Sequence, residues 1–98
     1  MNTELLIIVY STTVQEEVEA FLKEAGATAF TMIPTVHGSG EAGGTRLNTD
    51  VWPGENQMMM VSVEKEKAAL IKARIKEYRT RMPREGMKLF ALEPIETI

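Results

Sequence analysis

The 98-residue sequence contains no cysteine and only one histidine, His37. Without cysteine the chain has no disulfide bond, no thiolate zinc site and no thiol nucleophile. One histidine cannot supply a multi-histidine metal site within a single chain. The serines are scattered and no Ser-His-Asp arrangement stands out, so the sequence carries no signature of an enzyme.

Long apolar runs are also absent. The N-terminal apolar segment covers residues 5–10. It is too short for the core of a signal peptide, and no basic leader precedes it. No segment approaches the roughly twenty apolar residues that a membrane-spanning helix needs. Because a chain of 98 residues can enclose one hydrophobic core, we expect a single cytoplasmic domain over residues 1–98.

The net charge of −3 conceals two segments of opposite sign. Residues 1–64 contain nine acidic and two basic residues, a net −7, and residues 65–88 contain nine basic and three acidic residues, a net +6. A basic run of this kind is usually a solvated helix face. The alternative is a surface for anions or nucleic acid. No RNA-binding aromatic motif accompanies the basic residues, so we expect no nucleic-acid partner.

Hydrophobic periodicity predicts the order strand, helix, strand, strand, helix, strand. The first helix begins after the hydroxyl residues 11–13, with Glu16 in a capping box if Thr13 is the cap, and ends at Gly26. The second helix is predicted over 64–81. The four strands are predicted over 5–10, 28–36, 57–63 and 88–92. This order is typical of a ferredoxin-like α+β fold with an antiparallel sheet in the order 4-1-3-2. Pro34 and Pro94 then fall on the edge strands, where proline is tolerated.

The two central strands are apolar on both faces. In the first strand, Leu5, Ile7 and Val9 oppose Leu6, Ile8 and Tyr10 across the strand, and residues 58–63 repeat this pattern. In a lone ferredoxin-like domain, helices cover one sheet face and water covers the other, which favours alternation of apolar and polar residues. We therefore predict a homo-oligomer in which sheet faces pack together; the alternative is a monomer with a partly apolar open face.

Five of the seven glycines lie in a long loop, residues 37–56, between the second and third strands. A hairpin needs only two to five residues there, so a loop of about twenty indicates a function. Gly38 and Gly40 allow backbone N–H groups to approach an anion, as in a phosphate cradle, although a flexible hairpin tip has the same composition. Arg46 is the only base in the loop and can clamp a phosphate or a carboxylate, or remain solvated.

Two further loop residues have more than one interpretation. Trp52, in a predicted Trp52-Pro53-Gly54 turn, either anchors on a neighbouring subunit or stacks on a ligand. His37 is either a hydrogen-bonded structural residue or one metal ligand per subunit at a symmetry axis.

The segment Val36-His37-Gly38-Ser39-Gly40 resembles the Val-x-Gly-x-Gly that leads into the T-loop of the PII signal-protein superfamily. Gly86-Met87-Lys88-Leu89-Phe90 is similar to the Gly-Lys-Ile-Phe segment of that family, and the likeness in element order covers nearly the whole chain. The close of the loop, residues 52–56, resembles uncharacterised PII-like proteins with a short T-loop.

The resemblance implies a homotrimer with three sheets around a central channel. It implies a ligand site between subunits, for an adenine nucleotide or a related ligand, with Gly38, Gly40 and Lys88 beside its phosphates. It also implies that loop 37–56 engages a target enzyme or membrane transporter. Ala42 stands where the family has a glutamine for magnesium and 2-oxoglutarate, the loop has no tyrosine, and the C-terminus lacks the family's arginine-rich segment.

These observations support a PII-like homotrimeric regulatory protein that binds a small anion or nucleotide near Gly38, Gly40, Arg46 and Lys88. Two alternatives share the strand and helix order. One is a small dimeric α+β-barrel enzyme, with a pocket between the sheet and the helices. The other is a metal-responsive trimer resembling the CutA proteins, with three copies of His37 around an axis.

Overall fold

A computed structural model of the protein describes residues 2–36 and 55–98. The predicted order of elements is confirmed. The elements are β1 (Thr3–Ser11), a single 3-10 turn (Thr12–Val14), α1 (Gln15–Ala25), β2 (Thr31–Val36), β3 (Asn56–Glu64), α2 (Lys65–Arg81) and β4 (Met87–Leu92).

The four strands form one antiparallel sheet in the order β2-β3-β1-β4, which is the predicted ferredoxin-like α+β arrangement. The longest strands, β1 and β3, lie in the centre and pair from Thr3 with Glu64 to Ser11 with Asn56. Pro34 lies on the edge strand β2, where the register shifts between Ile33 and Val36. Since proline has no N–H for a ladder hydrogen bond, an edge position with an irregular ladder accommodates it.

At the start of α1, one of the three predicted hydroxyl caps is used and the conditional Thr13 capping box is not formed. Ser11, rather than Thr13, supplies the capping hydroxyl, because its Oγ accepts a hydrogen bond from the Thr13 backbone N–H at 3.2 Å. The chain then makes a 3-10 turn, and α1 begins after Val14 without a side-chain cap. The predicted C-terminus is confirmed: Gly26 has φ 80° and its N–H bonds to the carbonyls of Leu22 and Lys23.

The second strand is shorter than predicted at its N-terminal end. After α1 ends, the Ala27 N–H still donates to the Leu22 carbonyl of the helix at 2.8 Å. Extended pairing with β3 begins only at Thr31.

The hydrophobic core lies between the two helices and one face of the sheet. Leu6, Ile8 and Tyr10 of β1 are fully buried there, as are Met59 and Val61 of β3. The helices contribute apolar side chains at helical spacing to the same core, namely Val14, Val18, Leu22, Ala25, Ala68, Ile71, Ile75 and Tyr78. Packing against the two helices therefore explains why one face of the central strands β1 and β3 is apolar.

The opposite face of the sheet, here called the open face, is packed against neither of the two described helices. It consists of the alternate side chains of the four strands, with the apolar members Leu5, Ile7, Val9, Ile33, Met58, Met60, Phe90 and Leu92. The members on β1 and β3 are only half-buried. Phe90 and Leu92 on β4 are 49% and 48% exposed. Residues 2–36 and 55–98 of a single chain thus leave an apolar surface across the sheet.

Candidate functional site

Four segments of the chain meet at one end of the sheet. Val36, the last residue of β2, pairs with Asn56, the first of β3, and Asn56 pairs with Ser11 at the end of β1. The Ser11 N–H donates to the Gly86 carbonyl at 2.9 Å, and the Thr12 N–H donates to the Glu55 carbonyl at 2.8 Å. We call this region the loop end of the sheet, because residues 37–54 connect β2 to β3 there.

Lys88 lies close to the loop end. It is the second residue of β4 and pairs with Val9, which in turn pairs with Met58 of β3. Since side chains alternate along a strand, Lys88 shares the open face with Val9, Met58 and Phe90. Its Nζ lies 5.5 Å from the centroid of the Phe90 ring. The Lys88 side chain is exposed and has no carboxylate partner among the described residues, so its charge is available to an anion.

Near the loop end, three buried polar atoms have no hydrogen-bond partner among residues 2–36 and 55–98: the Tyr10 hydroxyl, the Asn56 Oδ1 and the Gln57 Oε1. Tyr10 is fully buried, and Asn56 and Gln57 are each 8% exposed. Tyr10 and Gln57 face each other in the β1–β3 register, so both project toward the helices. Asn56 is one position along β3 and projects to the opposite side.

The pKa of Tyr10 lies above its ordinary value. Burial is the main cause, and the negative charge of Glu19 on α1 adds to it. Both effects disfavour the phenolate. Tyr10 is therefore a neutral core residue near pH 7, as expected for a side chain that packs beneath the helices.

Several basic side chains of α2 form ion pairs with acidic residues of the same chain. Arg74 binds Glu24 of α1 through two nitrogens, at 2.6 and 2.9 Å. Lys72 binds Glu4 at 2.9 Å, and Lys65 binds Glu93 at 2.8 Å. The interpretation of residues 65–81 as mainly a solvated helix face is consistent with these contacts.

Metal-binding clusters and membrane-spanning helices are both absent from the part of the chain that the structure describes. Residues 2–36 and 55–98 bring together no group of three or more histidine, cysteine or acidic side chains suited to a metal ion. Within the same residues, neither helix has the length and apolarity required to cross a bilayer.

Of the four residues predicted to bind a ligand, the structure describes only Lys88. Gly38, Gly40 and Arg46 lie outside the described residues, as do His37 and Trp52. Their predicted roles stay predictions. Lys88 lies on the open face of the sheet. Along the strand direction it is two residue positions from Asn56, the first residue of β3, and β1 lies between them.

Asn56 and Gln57 were not predicted from the sequence. Their signal was available: two amide side chains open a strand whose next four residues are apolar. Polar residues at the start of a buried strand are ordinarily assigned to the loop, and their burial could not be read from periodicity alone.

The chain matches the family model described as "Nitrogen regulatory protein P-II" over residues 3–97. A comparison with curated proteins found no match.

Several solved structures have a similar fold. A PII-like signaling protein from Thermus thermophilus is 21% identical, with a TM-score of 0.65 over 93% of this chain and 87% of that one. CPII from Thiomonas intermedia, a nitrogen regulatory PII-like protein bound to ADP, AMP and bicarbonate, is 16% identical, with a TM-score of 0.71 over 91% and 82%. A DUF3240 family protein from Shewanella baltica is 10% identical, with a TM-score of 0.67 over 99% and 94%. At these identities the structures show a shared fold, and the match to the family model over residues 3–97 places this chain in the nitrogen regulatory protein P-II family.

Proposed function

We propose that this protein is a homotrimeric PII-like regulatory protein. In this proposal it binds an adenine nucleotide or a small anion between subunits, near Lys88, and presents loop 37–56 to a protein partner. Membership of the P-II family and the adenine nucleotides bound by CPII support the proposal. The observation that carries it is the open face of the sheet.

The open face favours self-association for a physical reason. Leu5, Ile7 and Val9 of β1 are half-buried in the single chain, and Phe90 is 49% exposed. Removing a Val, Leu, Ile, Phe or Met side chain fully from water stabilises a structure by about 1.5–3 kcal/mol. A contiguous patch of such side chains on an otherwise polar surface marks a contact with another protein. In the proposed trimer, the partner is the same face of the other two copies.

Lys88 supports an anionic ligand at the rim of this face. Its exposed ammonium group has no carboxylate partner among the described residues, and it lies at the end of the sheet where β2 and β3 lead into the loop. The ligands of CPII, which are ADP, AMP and bicarbonate, are all anions. Gly38, Gly40 and Arg46 are proposed to complete the site from the loop, with backbone N–H groups and a guanidinium group as donors.

The proposed output is a change in loop 37–56. A ligand changes the affinity for a partner only if it binds the two loop states unequally. The partner class we propose is an enzyme or a membrane transporter.

Light scattering and calorimetry together test the proposal. We expect the wild-type protein to have three times the mass of one chain and to release or absorb heat on titration with ADP, AMP or bicarbonate. Lys88→Ala should retain the trimer mass and lose at least about tenfold in affinity for the anion, since a hydrogen bond to a charged group contributes roughly 1.5–3 kcal/mol.

Other outcomes would contradict the proposal. A dimer would favour the α+β-barrel enzyme instead. A trimer that does not bind these anions but binds zinc or copper would favour the CutA-like alternative, provided that the calorimetric signal of the metal is lost in His37→Ala. Unchanged affinity in Lys88→Ala would remove Lys88 from the site.

A further inference from the structure

We propose that Asn56 is a ligand-recognition residue whose amide oxygen accepts a hydrogen bond from a hydroxyl or amino group on the uncharged part of a bound nucleotide. The inference rests on the proposed function, because it places Asn56 beside the anion held by Lys88. It adds the ligand class: a molecule with hydrogen-bond donors as well as a phosphate.

The first observation is that the amide oxygen of Asn56 is buried and unpaired. The side chain is 8% exposed, and its Oδ1 has no hydrogen-bond partner in the part of the chain that the structure describes. The large majority of buried polar side-chain atoms in folded proteins do have a partner, and a lone one requires an explanation. An unpaired buried carbonyl oxygen destabilises the free protein. Asn56, unlike Gln57 and Tyr10, lies on the face of the sheet that the helices leave open, where a ligand can supply a donor.

The second observation is the position of Asn56 relative to Lys88. In the β1–β3 register Asn56 pairs with Ser11, two residues beyond Val9, and Val9 pairs with Lys88 in the β1–β4 register. Side chains two residues apart on a strand share a face. Asn56 and Lys88 are therefore on the same face, separated by one intervening strand, which is about 10 Å across the sheet.

The two side chains differ in what they can bind. The ammonium group of Lys88 donates hydrogen bonds and attracts phosphate or carboxylate oxygens. The amide oxygen of Asn56 is an acceptor, so an ionised phosphate oxygen gives it no hydrogen bond, whereas a sugar hydroxyl or a base amino group does. The spacing separates a charged end of the ligand from an uncharged end.

Gln57 provides a natural contrast. It is equally buried and its Oε1 is equally unpartnered. It faces Tyr10, on the side of the sheet that the helices cover. A ligand held by Lys88 on the open face cannot reach it without crossing the sheet. Substitution of Gln57 is therefore the control for the general effect of removing a buried, unpaired amide at this end of β3.

The test compares ADP with inorganic pyrophosphate, which carries the charge without the nucleoside. Calorimetric titrations use the full chain as wild type, Asn56→Leu, Gln57→Met and Lys88→Ala. We expect Asn56→Leu to lower the affinity for ADP by about tenfold and to keep the affinity for pyrophosphate within about twofold of wild type. Only ADP loses a hydrogen bond in this variant. Lys88→Ala should lower the affinity for both ligands, and Gln57→Met should lower the affinity for neither. If Asn56→Leu fails to fold, Asn56→Ala is titrated in the same way.

Each remaining outcome overturns a defined statement. ADP affinity in Asn56→Leu equal to that of wild type overturns the role of Asn56 and leaves the proposed function standing. Equal weakening of ADP and pyrophosphate also overturns it, because a selective contact to the nucleoside is then excluded. A wild-type protein that binds neither probe overturns the proposed nucleotide site and this inference with it.

Discussion

Gly26 shows how one residue defines the end of an element. It terminates α1 in the left-handed region, with φ 80°, and its N–H satisfies the last carbonyls of the helix. A Cβ at this position would approach the Lys67 side chain no closer than 3.7 Å, an ordinary contact. The constraint is therefore the backbone conformation and not the available space.

We accordingly expect Gly26→Ala to lower the free energy of unfolding by about 1–2 kcal/mol, the cost of placing a Cβ in the left-handed region. Urea denaturation followed by circular dichroism measures the change. Gly26→Asn is the matched control and should lose less, because asparagine tolerates this conformation. Equal stability of wild type and Gly26→Ala would contradict the expected strain.

At the scale of elements, an aromatic contact and an ion pair join the two helices in addition to the packing of the core. The rings of Phe21 and Tyr78 pack edge to face with centroids 6.0 Å apart. In addition, Arg74 on α2 binds Glu24 on α1 through two nitrogens. The Arg74 hydrogen bond is the main cause that holds the pKa of Glu24 below its ordinary value of 4.5.

This shift predicts a dependence of stability on pH. Because the pKa of Glu24 is lower in the folded protein, the ion pair contributes fully above about pH 4.5 and is lost as the pH falls through the folded pKa. We expect Glu24→Gln to lower the urea midpoint slightly at pH 7, with the difference from wild type vanishing in acid. The effect is small, since both side chains are about half exposed and screened by water.

The control for this prediction is Glu24→Gln in an Arg74→Met background. Because the guanidinium group that binds Glu24 is then absent, the substitution should leave the urea midpoint nearly unchanged. A difference for Glu24→Gln that persists unchanged well below the ordinary pKa of the carboxyl would show that the ion pair does not stabilise the helix contact.

The helices and strands were predictable where they depend on residues that are close together in the sequence. Helical spacing from Val18 to Ala25, the stop at Gly26 and the placement of Pro34 on an edge strand were all read from the sequence and confirmed. The sequence placed the start of α1 after three successive hydroxyl residues but could not decide which of them is the cap. In the structure Ser11, in extended backbone at the end of β1, accepts the capping hydrogen bond from the Thr13 N–H.

The candidate site was less predictable than the fold. Lys88 was proposed from its likeness to a family segment, and the structure places it on the open face near the loop end. The burial of Asn56 depends on pairing with Ser11, 45 positions earlier in the chain, and no local pattern contains that information. Long-range register therefore decides which polar residues become candidates for ligand recognition.

At the scale of the whole molecule, the sheet separates two apolar surfaces. The helix side forms the core of the chain, with Leu6 and Ile8 fully buried, whereas Ile7 between them projects to the open face and is half-buried. A charge at position 7 would therefore affect the proposed assembly without entering the core. In the proposed trimer it would be buried without a partner, which is strongly unfavourable for a carboxylate.

We expect Ile7→Glu to have the mass of a single chain in light scattering, while its far-ultraviolet circular dichroism stays that of the wild type. Leu70→Glu is the matched control: Leu70 is 56% exposed on α2, away from the open face, and its substitution should leave the trimer mass unchanged. If Ile7→Glu keeps the wild-type mass, the open face is not the contact between copies. If both variants dissociate, the contact includes the helix layer, and sheet-to-sheet packing no longer explains why the central strands are apolar on both sides.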